Sequence, residues 1–263
     1  MKISINKGPR KKKAKFDNAF SRVFDDIANT YESVTFERNI GSVFVNKKEQ
    51  EFITSICQAL FDFADKKKIL DVGAGNGRWS KLFLALGCEV HSIDSSSEMC
   101  KVLSRICGLH VLKGNIEDIH LNEKFDLVFS MRALKYADLR KALLNIRKVI
   151  NNDGTVILEL PYRANPFYFI FYLSSKILSR FFKDNTYLKY SLMITQRSKS
   201  SIRKLISNSG YSLIEIKKLL FFPDYIYAKI DNKRVLKLVT TVDTIFAKVL
   251  PRSLIFIIHP DVL

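Results

Sequence analysis

The sequence predicts an α/β fold built on a doubly wound sheet, and three observations point to it. Ile69-Leu70-Asp71-Val72 is a short apolar run typical of a buried strand, and Gly73-Ala74-Gly75-Asn76-Gly77 turns it tightly into a helix. A second run, Glu89 to Ile93, ends in Asp94, seventeen residues beyond Gly77. Further strand-like runs follow at Phe125 to Ser130 and Thr155 to Leu160, separated by stretches long enough for helices.

The elements follow in order. A helix from about Lys47 to Ala64, with Phe52, Ile56, Ala59, Leu60 and Phe63 on one face, is expected to pack on the sheet. After the glycine turn, Trp79, Leu82, Phe83 and Leu86 make the stripe of a second packed helix, which Gly87 is placed to end. Ser95 is the expected N-cap of the next helix, with Glu98 completing a capping box. Asn152-Asp153-Gly154 is expected to turn the chain into the strand Thr155 to Leu160. Beyond it lie an amphipathic helix from Phe167 to Lys183, a short helix Lys199 to Asn208 ended by Gly210, and a strand Tyr211 to Phe222. A helix Asn232 to Val249 and a final strand Ser253 to Ile258 complete the chain.

The glycine turn has the character of a nucleoside site. Unpaired N–H groups at the start of its helix favour an anionic ligand group, and an acid at the end of the second strand is where such folds bind ribose hydroxyls. The spacing is G-x-G-x-G, with Arg78 where the dinucleotide fingerprint has its third glycine. Asp71 also adds negative charge near the place of a pyrophosphate. A ligand with a carboxylate for the helix N-terminus and a cation for Asp71 suits this turn better, and S-adenosylmethionine carries both.

The segment ILDVGAGNGRWSKLFLALGCEVHSIDSSSEM, followed by KGNIEDI and FDLVFSMRALKYADLRKALLNIRKVINNDGTVILELP, resembles the class I S-adenosylmethionine-dependent methyltransferases of the small-molecule, type 11-like group. The resemblance spans residues 65–162. It implies a seven-stranded, mostly parallel Rossmann-like sheet whose last strand is antiparallel, an N-terminal helical lid, and a helical cap after the fifth strand. The run of bases in residues 1–15 reads as a disordered basic arm, and the resemblance implies a methyltransferase domain at 16–263, with core 65–162, cap about 163–200 and C-terminal elements 201–263. It places Asp71 and Gly73 along the methionyl part of S-adenosylmethionine, Gly75 and Gly77 near the cofactor backbone, Asp94 on the ribose, and Met99 on the adenine. Ser95, Asn115, Ile116 and Ser130 complete the implied cofactor set, Asn115 standing where many relatives have an adenine-binding Asp. The resemblance also implies that Tyr31, in the helix FDDIANTYESV, lies near the transferred methyl group.

Composition narrows the setting. Four cysteines without C-x-x-C pairing suggest buried thiols in a reducing, cytoplasmic compartment and no metal site. No apolar segment follows the basic N-terminus, and the uncharged run Ala164 to Ser175 is shorter than the about 20 residues a spanning helix needs. The net charge of +17 is uneven. Residues 1–15 hold seven bases and no acid, residues 16–162 are nearly neutral, and residues 163–263 hold 17 bases against 6 acids. The excess therefore falls on the segments expected to build the acceptor side.

Where relatives often place a His near the methyl acceptor, this chain has Ser130-Met131-Arg132-Ala133-Leu134-Lys135-Tyr136. A Lys keeps its proton at neutral pH unless desolvated, so Lys135 suits an anionic substrate better than it suits general-base work. Tyr31, Lys135 and Tyr136 are the catalytic candidates, with Tyr162 and Arg163 beside them. His91 and His110 fall on presumed strands; His259 is expected beyond the last strand, near the substrate. The leading reading is O- or C-methylation of a small, partly apolar or lipid-carried acceptor with an anionic group, with peripheral membrane contact as a further expectation. RNA modification through the basic segments and a non-catalytic scaffold are the alternatives.

Overall fold

The computed structural model describes residues 24–62, 65–118, 120–178 and 198–261, and the predicted basic arm lies outside them. Seven strands form one sheet: β1 Lys68–Val72, β2 Glu89–Asp94, β3 Leu109–Lys113, β4 Phe125–Ser130, β5 Ile150–Pro161, β6 Tyr211–Leu219 and β7 Ser253–Pro260. Their order is β3-β2-β1-β4-β5-β7-β6. The first five pair in parallel, whereas β7 runs antiparallel to both β5 and β6. The chain winds outward from β1 to β3 and returns to β4, so the winding reverses between β1 and β4, where open sheets of this kind hold ligands.

The helices are α1 Tyr31–Thr35, α2 Ile40–Leu60, α3 Arg78–Ala85, α4 Ser97–Leu103, α5 Leu139–Val149, α6 Pro166–Leu178, α7 Lys199–Ser207, α8 Asp224–Tyr227 and α9 Lys233–Ala247. Both sheet faces are apolar because alternate residues of each strand point to opposite layers. Leu70, Val128, Val156 and Phe256 join α5 and α7 on one face. Ile69, Leu127, Ile157 and Ile257 pack with Ile53 of α2 and Trp79 and Phe83 of α3 on the other. Cys57 and Cys88 are buried in this second layer, Cys100 is partly buried and Cys107 is exposed.

Three boundaries differ from the sequence expectation for identifiable reasons. Helix α2 begins well before Lys47, because Asn39 caps it by accepting from Ser42 N at 2.9 Å and tertiary bonds hold its first turn. Asn39 Nδ2 donates to Ala228 O at 2.7 Å, and Gly41 N to Ile230 O at 3.1 Å. The cap of α4 is Ser96, not Ser95: Ser96 Oγ accepts from Met99 N at 3.1 Å, so Glu98 falls one position short of the capping-box site. Asn152-Asp153-Gly154 does not separate two elements; β5 runs unbroken from Ile150, and the extra residues are absorbed as an irregularity opposite Phe125 and Leu127.

Helix α6 follows β5 directly, at the position expected for the cap, and the cap's remainder lies largely outside the described residues. Among the described residues, no helix is long and apolar enough to cross a membrane.

Candidate active site

The strand ends at the reversal of winding open into a cavity. Its donor end is lined by Gly73 and Gly75 of the turn, Asp94 and Ser95 after β2, Met99 of α4, and Asn115 and Ile116 after β3. The geometry of the turn requires its glycines. Gly73 and Gly75 have φ of +72° and +57°, and a Cβ on Gly73 would lie 2.1 Å from the Ala133 Cβ. At Gly75 the same position is open space, so the backbone itself faces the cavity.

Asp94 organises this end. Its Oδ2 accepts from Gly75 N and its Oδ1 from Ser96 N, both at 2.8 Å. These bonds fix the carboxylate at the cavity wall and leave each oxygen a lone pair for a ligand hydroxyl. Burial raises its pKa against these bonds. Asn115 Oδ1 accepts from Glu117 N at 3.1 Å, which shapes the loop after β3. Asp25 adds a contact that sequence reading missed. Its Oδ1 accepts from Ser96 Oγ at 2.5 Å and from Glu98 N at 3.1 Å, tying the N-terminal segment to α4 beside the cavity. Phe24 and Tyr31 of that segment line the cavity, their rings 6.2 Å apart.

Three implied cofactor residues take other roles. Asp71 is buried beneath the turn, accepting from Ser80 Oγ at 2.6 Å, and does not line the cavity. Burial, reinforced by Asp94, pushes its pKa up to about 7. Gly77 serves packing, since a Cβ there would stand 2.5 Å from Ile106 Cδ1. Ser130 is also buried, its Oγ donating to Val72 O at 2.9 Å across neighbouring strands.

The other end of the cavity is lined by Tyr31, Met131, Arg132, Ala133, Leu134 and Tyr136. Lys135 stands behind this wall, its Nζ 4.9 Å from the Tyr136 ring centre. Burial opposes the Lys135 charge, but Tyr136, Tyr168 and Glu159 outweigh it and raise the pKa, so the ammonium stays charged. Burial raises the pKa of Tyr31, against the nearby Arg132 and Lys135, and its phenol keeps its proton at neutral pH.

Arg132 is the centre of a network that the sequence did not reveal. Its backbone has φ +64°, uncommon for a residue with a side chain, and its N–H donates to Glu159 Oε2 at 2.9 Å. Its guanidinium pairs with Glu49 of α2 and, at 3.0 Å, with Asp224 of α8. Glu49 is fully buried and also binds Arg78 at 2.7 Å and Arg252 at 2.5 Å, and Arg252 pairs with Asp224 as well. Burial disfavours the Glu49 charge, but the three arginines outweigh it and hold its pKa well below the usual range. Glu49 was hidden because an acid in an amphipathic helix normally faces solvent, as Glu51 does two residues on. The one available signal was its position on the apolar side, one turn before Ile53.

The remaining candidates lie elsewhere. Tyr162 and Arg163 border a separate shallow groove with Ser198 and Arg203. His259 lies within β7, its Nε2 3.2 Å from Thr155 Oγ1, at the sheet edge opposite the cavity. At that opposite edge β2 and β3 bring ligand atoms of Glu89, His91 and His110 within 4.8 Å of one another, and Lys68 pairs with the carboxylates of both Glu89 and Glu123 there.

This arrangement agrees with what the chain resembles among known proteins. Residues 70–158 match the family model described as a methyltransferase domain. The chain is 29% identical over 124 residues to a mitochondrial ubiquinone biosynthesis O-methyltransferase of Schizosaccharomyces pombe, covering 44% of this chain and 45% of that one. It is 37% identical over 91 residues to a malonyl-[acyl-carrier protein] O-methyltransferase of Salmonella typhimurium, covering 34% of this chain and 36% of that one. The matches thus span between about a third and two thirds of the curated relatives' length. The fold matches magnesium protoporphyrin IX methyltransferase of Synechocystis with bound S-adenosylhomocysteine at a TM-score of 0.56 and 14% identity, over 89% of this chain and 98% of that one. Residues 70–158 thus match a methyltransferase domain, and the sheet that carries them has the fold of an S-adenosylmethionine-dependent methyltransferase.

Proposed function

We propose that this protein methylates an oxygen or carbon of a small, partly apolar or lipid-carried acceptor that presents an anionic group. One observation carries the reading: a single cavity joins the donor end at Asp94 to the tyrosine-lined end at Arg132. S-adenosylmethionine, when bound, supplies an electrophilic methyl group. Asp94 is placed to hold its ribose, Met99 and Ile116 offer apolar contact for its base, and Asn115 can accept from an amino group.

At the other end, Arg132 is fixed by Glu49 and Asp224 and keeps its charge, while Lys135 stands behind Tyr136. Groups held in place in this way orient an acceptor without reorganising when it arrives. Tyr31 stays neutral and can donate a hydrogen bond to it. The described residues lining the cavity include no histidine. An acceptor whose oxygen is already ionised, such as a carboxylate, brings its nucleophile deprotonated and suits these residues best. Both relatives described above are O-methyltransferases by name, which supports oxygen as the acceptor atom.

Incubation with methyl-labelled S-adenosylmethionine and separate lipid, metabolite and RNA extracts tests the proposal. Label in an acidic lipid or metabolite fraction is expected. Label in RNA would favour RNA modification, and cofactor binding without transfer to any fraction would favour the scaffold reading.

A further inference from the structure

Helix α9, Lys233–Ala247, carries an apolar stripe that the protein does not cover. Val235, Leu238 and Ile245 are exposed on one side of the helix, with half-buried Val242 between them and exposed Val249 just past the helix end. Leu238 is 67% exposed and Ile245 60% exposed. On an ordinary surface helix this stripe would face the core.

The inward side of α9 is defined by its one acid. Asp243 is buried, and its Oδ1 accepts from Phe221 N at 3.0 Å and Phe222 N at 2.9 Å, which ties the helix to the segment after β6. The exposed charges of the helix and its C-terminal flank are therefore all cationic: Lys233, Arg234, Lys237 and Lys248. The patch continues onto α6. Phe221 stacks on Phe246 of α9 at 5.1 Å and meets Phe167 of α6 at 5.5 Å, and Phe169 and Ile170 of α6 are about as exposed as Leu238. Both helices leave the sheet edge that holds the cavity, and α9 is joined through α8 to Asp224, the partner of Arg132.

We infer that the exposed faces of α6 and α9 form a docking surface for an anionic lipid bilayer, beside the mouth of the cavity. An exposed apolar stripe flanked by four cations, with Asp231 the exposed acid just before the helix, matches the hydrocarbon and headgroup layers of such a surface. A second copy of this chain would bring the same cations together, which argues against self-association as the occupant. The surface is independent of the proposed methyl transfer: titration with S-adenosylmethionine tests the one and sedimentation with vesicles the other.

The full chain is sedimented with phosphatidylcholine vesicles with and without phosphatidylglycerol, at low and high salt. Binding is expected only with phosphatidylglycerol, weakened by salt, and reduced about tenfold or more in Leu238→Glu/Ile245→Glu. Both side chains are exposed, so the variant is expected to fold, and its circular dichroism and S-adenosylmethionine affinity check this. Lys233→Glu/Lys237→Glu probes the same face through charge and is expected to lose binding most at low salt. Absence of binding, or binding that both variants retain, overturns the inference. So does a wild-type dimer that Leu238→Glu/Ile245→Glu converts to a monomer in analytical ultracentrifugation, because the face would then be an interface between copies.

Discussion

The two ends of the cavity are built differently. At the donor end, the principal residues come from two strand–loop–helix units within residues 71–99, and the main bonds of Asp94 run to Gly75 and Ser96. At the acceptor end, Arg132 after β4, Glu49 of α2, Asp224 of α8 and Arg252 before β7 come together from across the chain. A local frame depends on short-range turn chemistry and holds one invariant ligand. A long-range frame can be rebuilt by changing any helix, which is how one fold serves many acceptors.

Among substitutions at the two ends, the largest effect is expected at Glu49. Glu49→Gln leaves three clustered arginines, two of them buried, undercompensated and should cost about 3–5 kcal/mol in urea unfolding. The folded pKa of Glu49 is depressed, so its contribution is present above the unfolded value and is lost as pH falls through the folded one. The wild type should therefore lose stability below about pH 4, and the variant should lack that part of the slope. Equal stability of the two proteins would show that the network does not hold the acceptor end together.

Next in size is Asp94→Ala. Loss of hydrogen bonds to a charged group costs about 1.5–3 kcal/mol, so calorimetry should show S-adenosylmethionine binding weakened by roughly 10- to 100-fold. Unchanged affinity would remove Asp94 from the donor site. Arg132→Lys should then separate the two ends. It loses the fork that reaches both Glu49 and Asp224, so acceptor kcat/KM should fall about tenfold while S-adenosylmethionine affinity stays within about twofold.

The smallest effect on affinity is expected for Asp71→Asn. Because Asp71 lies under the turn, S-adenosylmethionine binding should change by less than about threefold. A loss like that of Asp94→Ala would restore Asp71 as the partner of the cofactor's cation. Stability reports on the same residue. Its folded pKa is raised to about 7, so the folded state holds an extra proton between that value and the unfolded one. Stability should fall as pH rises through this window, by at most about 1.4 kcal/mol per pH unit, and the variant should remove the slope.

The donor end was legible because its residues are close in sequence and their types are dictated by backbone geometry. A φ of +72° at Gly73, and a backbone that must face the cavity at Gly75, select glycine directly. The errors there concern side-chain direction. Asp71 and Ser130 lie in strands whose alternation sends them into the sheet layers, and the motif alone does not show that. At the acceptor end the sequence supplied Arg132 and Lys135 but not their partners. His259 was misplaced for a related reason. Because β7 is antiparallel, the end of that strand lies at the edge away from the site.

Strand periodicity and glycine conformation are properties of neighbouring residues, so the sheet and the donor turn are written locally along the chain. Which charges meet around Arg132, and which apolar faces stay uncovered, follows from packing between distant segments. Burial of Glu49 among three arginines, and exposure of the stripe on α9, depend on how separate helices pack against one sheet. No local pattern encodes that packing.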